Sequence, residues 1–261
     1  DESKLQVHRW IESTSSWQYE GGVVNAAENT VTLSTNQPGK FALFERSFVQ
    51  VSVKVLLQGS YAAGGLMTTE LNSNSAIPLT STLADPRVIA AVPTGVTDWM
   101  MLELRTAPDG SAVSQRSFFL KNNGDIVDWD GATATLNLPD AADGAYYIVV
   151  KHRNHLAVMS ASAVALNSTT AAAYDFSTDI NKYYGSDAAL LDTLPANIYG
   201  LYAGDATGNG QVQNNDKNED WKSQTGTSGY KSADFNLNAQ VQNNDKNDFW
   251  KVNVGRGTQV Q

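Results

Sequence analysis

The sequence GQVQNNDKNEDWK, at residues 210–222, returns almost unchanged as AQVQNNDKNDFWK at residues 239–251. The two copies agree at ten of thirteen positions and begin 29 residues apart, at 210 and 239. A repeat of this length indicates two copies of one supersecondary unit. Each copy follows an Asp-containing turn and ends in Trp-Lys. The pattern therefore predicts a polar loop followed by a short helix, twice.

The polar residues around each copy have the spacing of a calcium-binding loop. Calcium takes six to eight oxygen ligands, and a twelve-residue loop supplies them from positions 1, 3, 5, 7 and 12, with a backbone carbonyl at position 7. We define loop 1 as residues 205–216 and loop 2 as residues 234–245. The predicted ligands, in that order, are Asp205, Thr207, Asn209, Gln211 and Asp216 in loop 1, and Asp234, Asn236, Asn238, Gln240 and Asp245 in loop 2. The sequence predicts two Ca²⁺ sites.

The loops also depart from a strong calcium site. Each has two carboxylates, so we expect weak binding, with a Kd of roughly 10⁻⁴–10⁻³ M. Ala239 stands where a Gly makes the sharp turn, which predicts strain if its φ is positive. The alternative is a pair of metal-free turns rich in Asn and Asp. We further expect Val212 to pair with Val241, and the two helices to bury Trp221 and Trp250.

Upstream of about residue 180 the sequence is typical of β-strands. Residues 48–57 alternate apolar and polar side chains, and residues 145–150 form an apolar run that fits a strand buried on both faces. Residues 99–104 and 116–120 read as a strand pair joined through Ala-Pro-Asp-Gly. Short strands with turns between them predict an antiparallel β-sandwich, immunoglobulin- or transthyretin-like, followed by a small helical pair of calcium loop–helix units.

Composition excludes several classes of function. The 261 residues carry a net charge of −9 with no two Lys or Arg residues adjacent, which argues against nucleic-acid binding. Cys is absent, which excludes disulfides, thiolate metal sites and a Cys nucleophile. No apolar stretch is long enough to span a membrane. His152 and His155 form a His-x-x-His pair without an obvious third ligand, and we interpret both as structural.

The duplicated loops, with Asp at position 12, resemble the dockerin-type calcium module. The chain from about residue 97 also resembles a C-terminal region of large secreted and surface proteins of Bacteroidota-type bacteria. That resemblance implies an extracellular location and calcium. The runs that carry it are Trp99-Met-Met-Leu-Glu-Leu-Arg105, Asn123-Gly-Asp-Ile-Val-Asp128, His152-Arg-Asn-His-Leu156, Tyr174-Asp-Phe176, Ala203-Gly-Asp205 and Gly229-Tyr-Lys-Ser-Ala-Asp-Phe-Asn236.

Four regions follow from these patterns. We predict an N-terminal β segment at 1–46, a β-sandwich at 47–180, an ordered connection at 181–202 and the dockerin-like domain at 203–261. The N-terminal segment is too short to close a sandwich of its own. Its apolar strands either fold back on residues 47–180 or pair with a neighbouring copy.

These expectations favour a non-enzymatic, extracellular, calcium-stabilised structural or adhesion protein. The most specific version of this hypothesis is a surface fibre subunit that assembles through the N-terminal segment. One alternative is a glycan-binding accessory module of a polysaccharide-degrading protein, which predicts a row of coplanar exposed aromatic rings. Another is a dockerin that binds a receptor protein through Lys217, Asn218, Lys246 and Asn247.

Overall fold

The computed structural model describes residues 2–45 and 47–260, so residue 46, the predicted end of the N-terminal segment, lies outside the described residues. The protein is mainly β, as the sequence predicts. Its strands are β1 (Leu5–Ile11), β2 (Ser16–Gly21), β3 (Val23–Asn25), β4 (Thr30–Thr32), β5 (Phe41–Glu45), β6 (Phe48–Lys54), β7 (Tyr61–Ala63), β8 (Leu66–Met67), β9 (Val96–Arg105), β10 (Ser114–Lys121), β11 (Ile126–Val127), β12 (Leu136–Pro139), β13 (Gly144–Lys151), β14 (Val158–Met159), β15 (Val164–Leu166), β16 (Ala172–Asp175), β17 (Ala189–Asp192) and β18 (Ile198–Gly200).

Two sheets form the central sandwich. One has the order β11-β10-β9-β13-β14, with β15 also pairing with β13, and the other has the order β12-β6-β16. Buried side chains of both sheets belong to one hydrophobic cluster. The expectation of a purely antiparallel sandwich is wrong at one place, because β16 runs parallel to β6. A parallel pair needs a long crossover, and the strands of the other sheet lie in the chain between β6 and β16.

Burial within the sandwich follows the sequence patterns closely. In β6 the residues Val49, Val51 and Val53 are buried and alternate with half-buried polar residues, as a strand with one core face requires. The pair predicted across Ala-Pro-Asp-Gly is β9 with β10. The apolar run 145–150 lies in β13, where Ile148, Val149 and Val150 are buried on both faces, whereas Ala145 is exposed and Tyr147 half-buried, so the prediction holds only for the second half of the run. The fully buried central strand is β9, which also buries charged side chains.

The N-terminal residues form a separate sheet that folds back on the sandwich. Its order is β2-β1-β5, and β3 pairs with β4 as a hairpin beside it. The contact with the sandwich includes a buried ionic cluster. Glu20 lies 3.1 Å from Arg9 and 3.4 Å from Arg87, and Arg9 also donates to the carbonyl of Val88.

The connection predicted at 181–202 is partly buried. The 3₁₀ turn Phe176–Thr178 precedes it and Ile180–Lys182 begins it, and the turn Tyr184–Ser186 and the β17–β18 hairpin follow. Tyr183 and Leu201 are buried in the main core, whereas Leu190 and Leu194 are exposed.

Helical structure is short everywhere in the described residues. The sandwich carries α1 (Glu70–Ser73). In the C-terminal module, the first helix is π-helical over Asp216–Trp221 and continues as α2 (Lys222–Gln224). The second is π-helical over Asp245–Trp250 and continues as α3 (Lys251–Asn253). No helix in residues 2–45 and 47–260 is long and apolar enough to cross a membrane.

Candidate metal centre

Loop 1 gathers its polar groups around two carboxylates. Asp205 Oδ1 accepts from the backbone N–H of Asn209 at 3.0 Å, and Oδ2 accepts from that of Gly210 at 2.9 Å. Asp216 Oδ1 accepts from the N–H and the hydroxyl of Thr207, and its Oδ2 accepts from the N–H of Gln213. Both carboxylates are buried. These hydrogen bonds tie the loop to the carboxylates at positions 1 and 12.

Loop 2 repeats this arrangement almost atom for atom. Asp234 accepts from the N–H groups of Asn238 and Ala239, at 3.0 and 2.9 Å. Asp245 accepts from Phe235, Asn236 and Gln242. One difference is that Asp245 also accepts from the N–H of Phe235 at position 2. Another is at position 3, where Asn236 does not donate a side-chain proton to Asp245 as Thr207 does to Asp216. Its Oδ1 accepts from the N–H of Asn238.

The position 7 residues have exposed side chains, as expected if only their carbonyls are used. Gln211 donates its N–H to Asn209 Oδ1 at 3.0 Å, and Gln240 donates to Asn238 Oδ1 at 2.9 Å. An amide oxygen has two lone pairs, so each Asn keeps one for another partner.

Burial disfavours the ionised form of the carboxylate at position 1 of each loop. Burial raises the pKa of Asp205 to about 6, and the nearby charge of Asp216 acts in the same direction. Burial likewise raises the pKa of Asp234 to about 7, where Arg153 opposes the shift and Asp245 adds to it. The pKa of Asp245 is also raised by burial. A cation placed between two such carboxylates would remove the repulsion.

The donor set fits a calcium ion. Within residues 2–45 and 47–260, no group of three or more His, Asp or Glu side chains converges on one point. A cation here therefore needs amide, hydroxyl and carbonyl oxygens beside the two carboxylates, and hard oxygen donors of this kind suit Ca²⁺. Thr207 gives its hydroxyl proton to Asp216, so its oxygen lone pairs remain available.

The backbones of the two loops do not pair with each other, so the predicted two-stranded pairing of Val212 with Val241 is wrong, although both side chains lie in one buried cluster. Val212 instead exchanges backbone hydrogen bonds with Gly255 and Arg256, which follow the second helix. Val241 does the same with Gly226 and Thr227, which follow the first helix. Each loop thus pairs with the segment that follows the other unit's helix, so the contacts between the two units are reciprocal.

Trp221 and Trp250 also make reciprocal contacts between the two units. Trp221 donates its indole N–H to the carbonyl of Gln242 at 2.9 Å, and Trp250 donates to that of Gln213 at 2.8 Å. Lys246 Nζ lies 4.3 Å from the Trp221 ring centroid, and Lys217 Nζ lies 4.9 Å from that of Trp250. Each helix therefore fastens the loop of the other unit.

The His-x-x-His turn lies at the seam between sandwich and module, fully inside the protein. The Nδ1 atoms of His152 and His155 are 3.0 Å apart. His152 Nε2 lies 3.1 Å from Asp98, and His155 Nε2 accepts from the N–H of Gly59 at 3.1 Å. One set of protons satisfies all of these contacts: His155 Nδ1 donates to His152 Nδ1, and His152 Nε2 donates to Asp98.

This arrangement keeps both rings neutral. Burial lowers the pKa of His152, against the opposing pull of Asp98, and lowers that of His155 well below its usual range. The ring nitrogens are committed to protein partners, which agrees with the interpretation of both residues as structural.

The module is fixed to the sandwich by polar groups that no sequence pattern predicts. Asn253, at the end of the second helix, donates to Gln58 at 2.6 Å and to the carbonyl of Ala203 at 2.8 Å. Asn154 bonds to backbone groups of both loops. The only sequence signal for Asn154 was its place within the His152–His155 turn.

Comparisons with known proteins give no family assignment. No family model matches the chain, and no curated protein matches it significantly. The chain is similar to a chain in two crystal structures of a type II cohesin–X-dockerin complex from Acetivibrio cellulolyticus, one an N-terminal and the other a C-terminal interface mutant. In each case the identity is 16%, the alignment covers 80% of this chain and 97% of that chain, and the TM-score is 0.39.

Proposed function

We propose that the protein is a non-enzymatic, extracellular structural or adhesion protein that Ca²⁺ stabilises through loops 1 and 2. The observation that carries this proposal is the pair of buried two-carboxylate loops, each wrapped by backbone N–H groups and fastened by the other unit's helix. A calcium ion in each loop would neutralise the carboxylates and stiffen the module. We assign the oxygens of the ten predicted residues as the ligands.

The N-terminal sheet supplies a surface for contact with another protein. Among the strands of the described residues, β5 pairs only with β1, so β5 is an edge strand. It exposes Phe41, Leu43 and Phe44, and Trp17 on β2 is exposed as well. An exposed apolar edge strand is a template for strand addition by another chain. We therefore propose that this sheet mediates self-assembly even though it also folds back on the sandwich.

Ring geometry argues against the glycan-binding alternative at this surface. The planes of Trp10 and Trp17 are inclined by 67°, and those of Trp17 and Phe44 by 65°. Rings in edge-to-face contact do not offer the flat row that stacks on a sugar chain. They fit an interdigitating protein surface better.

The receptor-binding dockerin alternative loses two of its four candidate residues. Lys217 and Lys246 are half-buried and lie over the Trp rings inside the module. Asn218 and Asn247 are exposed and remain symmetric candidates.

The test is the assembly state of the purified protein over a range of concentrations with calcium present. We expect the wild type to form larger species by analytical ultracentrifugation and electron microscopy. Leu43→Lys places a charge on the edge strand and should keep the protein monomeric, because an edge Lys opposes strand addition. Leu190→Lys is the matched control, since Leu190 is 52% exposed against 50% for Leu43 and lies on a different hairpin. A wild type that stays a compact monomer at high concentration would refute assembly.

A further inference from the structure

Asn154 lies at the point where the sandwich meets both calcium loops. It is fully buried, in the turn between β13 and β14. Its side-chain Nδ2 donates to the carbonyl of Asp234 at 2.7 Å and to that of Ser232 at 2.9 Å. Its own backbone carbonyl accepts from the N–H groups of Gly204 and Asp205, both at 3.2 Å. One residue of the sandwich therefore contacts the first ligand residue of each loop.

The rest of the turn holds Asn154 rigidly. Asn154 Oδ1 lies 2.9 Å from His155 Nδ1, and the neighbouring Leu156 donates its N–H to the carbonyl of Tyr202. Arg153 lies 3.0 Å from Asp98 and donates to the carbonyl of Lys231. The side-chain Nδ2 of Asn154 thus donates to two carbonyls, and its Oδ1 shares the Nδ1 proton of His155 with His152 Nδ1.

Loop 2 is pressed against this turn from the other side as well. A Cβ on Gly59 would lie 1.7 Å from the carbonyl oxygen of Phe235, the residue after Asp234. The N–H of Gly59 also donates a hydrogen bond to His155 Nε2. Loop 2 is therefore held between Gly59 and Asn154.

We propose that Asn154 is a positioning residue for both calcium sites: its backbone carbonyl sets the place of Asp205, and its carboxamide sets the place of Asp234. The inference rests on the calcium binding proposed above. It makes the sandwich a structural part of the two sites, so that the loops are pre-organised by a residue outside the repeat. Residues that orient metal ligands in this way typically change metal affinity by about 10–100-fold when they are replaced.

The two contacts predict an asymmetry between the loops. Asn154→Ala removes the side-chain hydrogen bonds to Asp234 of loop 2 and to Ser232 just before it, but keeps the backbone carbonyl that loop 1 uses. We expect the substitution to weaken calcium binding by loop 2 at least about tenfold. The affinity of loop 1 should fall by a smaller factor. A residue that only stabilised the fold would lower the melting temperature without separating the two affinities.

The experiment measures each loop alone by calorimetric titration of the chelator-treated full chain with Ca²⁺ at 25 °C. Asp234→Ala leaves loop 1 to report, and Asp205→Ala leaves loop 2. Asn154→Ala is added to each. The matched control is Asn123→Ala, which removes an exposed turn Asn whose side chain bonds only to Asp125 on the sandwich. Asn123→Ala should leave both affinities unchanged.

A fall in loop 2 affinity with a smaller fall in loop 1 supports the proposal. Equal affinities with and without Asn154→Ala overturn it while leaving the calcium function intact. A wild type that binds no calcium overturns both. If Asn154→Ala does not fold, Asn154→Asp keeps the shape of the side chain and removes the same two donors. It should show the same asymmetry, and unchanged loop 2 affinity in that variant would refute the proposal.

Discussion

At the scale of single residues, the two loops differ most at position 6. Gly210 has a φ of 82° and Ala239 a φ of 67°, so both occupy the left-handed region. The expected strain at Ala239 is therefore present. A Cβ on Gly210 would lie 2.7 Å from Thr258 Cγ2, whereas the residue 29 positions before Thr258 is Gly229. Gly229 donates to the carbonyl of Ala239 as Thr258 does to that of Gly210. Loop 2 therefore tolerates Ala because its neighbour lacks a side chain.

This difference predicts that Gly210→Ala and Ala239→Gly change the stability of the protein by unequal amounts. Gly210→Ala adds left-handed strain of about 1–2 kcal/mol and a clash with Thr258. Ala239→Gly relieves the same strain but loses about 0.8 kcal/mol of methyl burial and increases the chain entropy of the unfolded state. We expect Gly210→Ala to lower the free energy of unfolding by about 2 kcal/mol, and Ala239→Gly to change it by less than about 1 kcal/mol. Urea denaturation with calcium present measures both, and equal losses would contradict the explanation.

His155 offers a second test at this scale. His155→Gln should leave calcium binding and assembly measurable, and should cost at most about 3 kcal/mol of stability, because it breaks buried hydrogen bonds without removing a charge. Elemental analysis tests the alternative that His152 and His155 bind a transition metal. A transition metal bound in the wild type and lost in His155→Gln would show that the pair is a metal site.

At the scale of elements, the two loop–helix units complete each other. Each helix donates its indole N–H to the partner loop, and each loop pairs its backbone with the segment after the partner helix. The buried side chains of both units form one cluster. Neither unit can therefore satisfy its buried polar groups alone.

Trp221→Phe and Trp250→Phe test this exchange. Each keeps most of the ring but leaves a carbonyl of the other unit without its donor, which costs about 1–3 kcal/mol. We expect similar losses of stability in the two variants. Trp17→Phe, on the exposed ring of β2, is the control and should stay within about 0.5 kcal/mol of the wild type. Unequal losses, with one variant at the level of the control, would contradict a reciprocal arrangement.

Patterns with a period could be predicted from the sequence, and unique polar contacts could not. The alternation of Val49, Val51 and Val53 predicts β6, and the 29-residue repeat predicts two equivalent units. The strand partners of Val212 and Val241 depend on how the units pack, which no local pattern records. The same holds for the charged side chains of β9, because burial of a charge depends on partners far away in the sequence.

At the scale of the whole molecule, charge fastens the N-terminal sheet to the sandwich. The side chain of Glu20 is 1% exposed and bonds to Arg9 on the sheet and to Arg87 on the sandwich, whose side chains are 8% and 2% exposed. Arg116, from β10, lies over the ring of Tyr19, 4.6 Å from its centroid. Neutralising one partner of a buried ion pair leaves the charge of the other partner buried and uncompensated.

Glu20→Gln should therefore lower the free energy of unfolding by about 3–5 kcal/mol. Chemical denaturation measures the loss. The control is Glu12→Gln, since Glu12 pairs with Lys40 at 3.2 Å with both side chains exposed, and it should produce no measurable change. If Glu20→Gln is as stable as the control, the sheet is not held by this cluster.

If calcium stabilises the protein through loops 1 and 2, the melting temperature must depend on calcium. With Kd near 10⁻⁴ M, about 10 mM calcium adds roughly 2.7 kcal/mol for each site. Two sites should raise the melting temperature by on the order of 10–20 °C over the value in chelator. Asp205→Ala combined with Asp234→Ala should abolish the difference. Identical melting curves of the wild type in calcium and in chelator, with no calcium found by elemental analysis, would contradict the account.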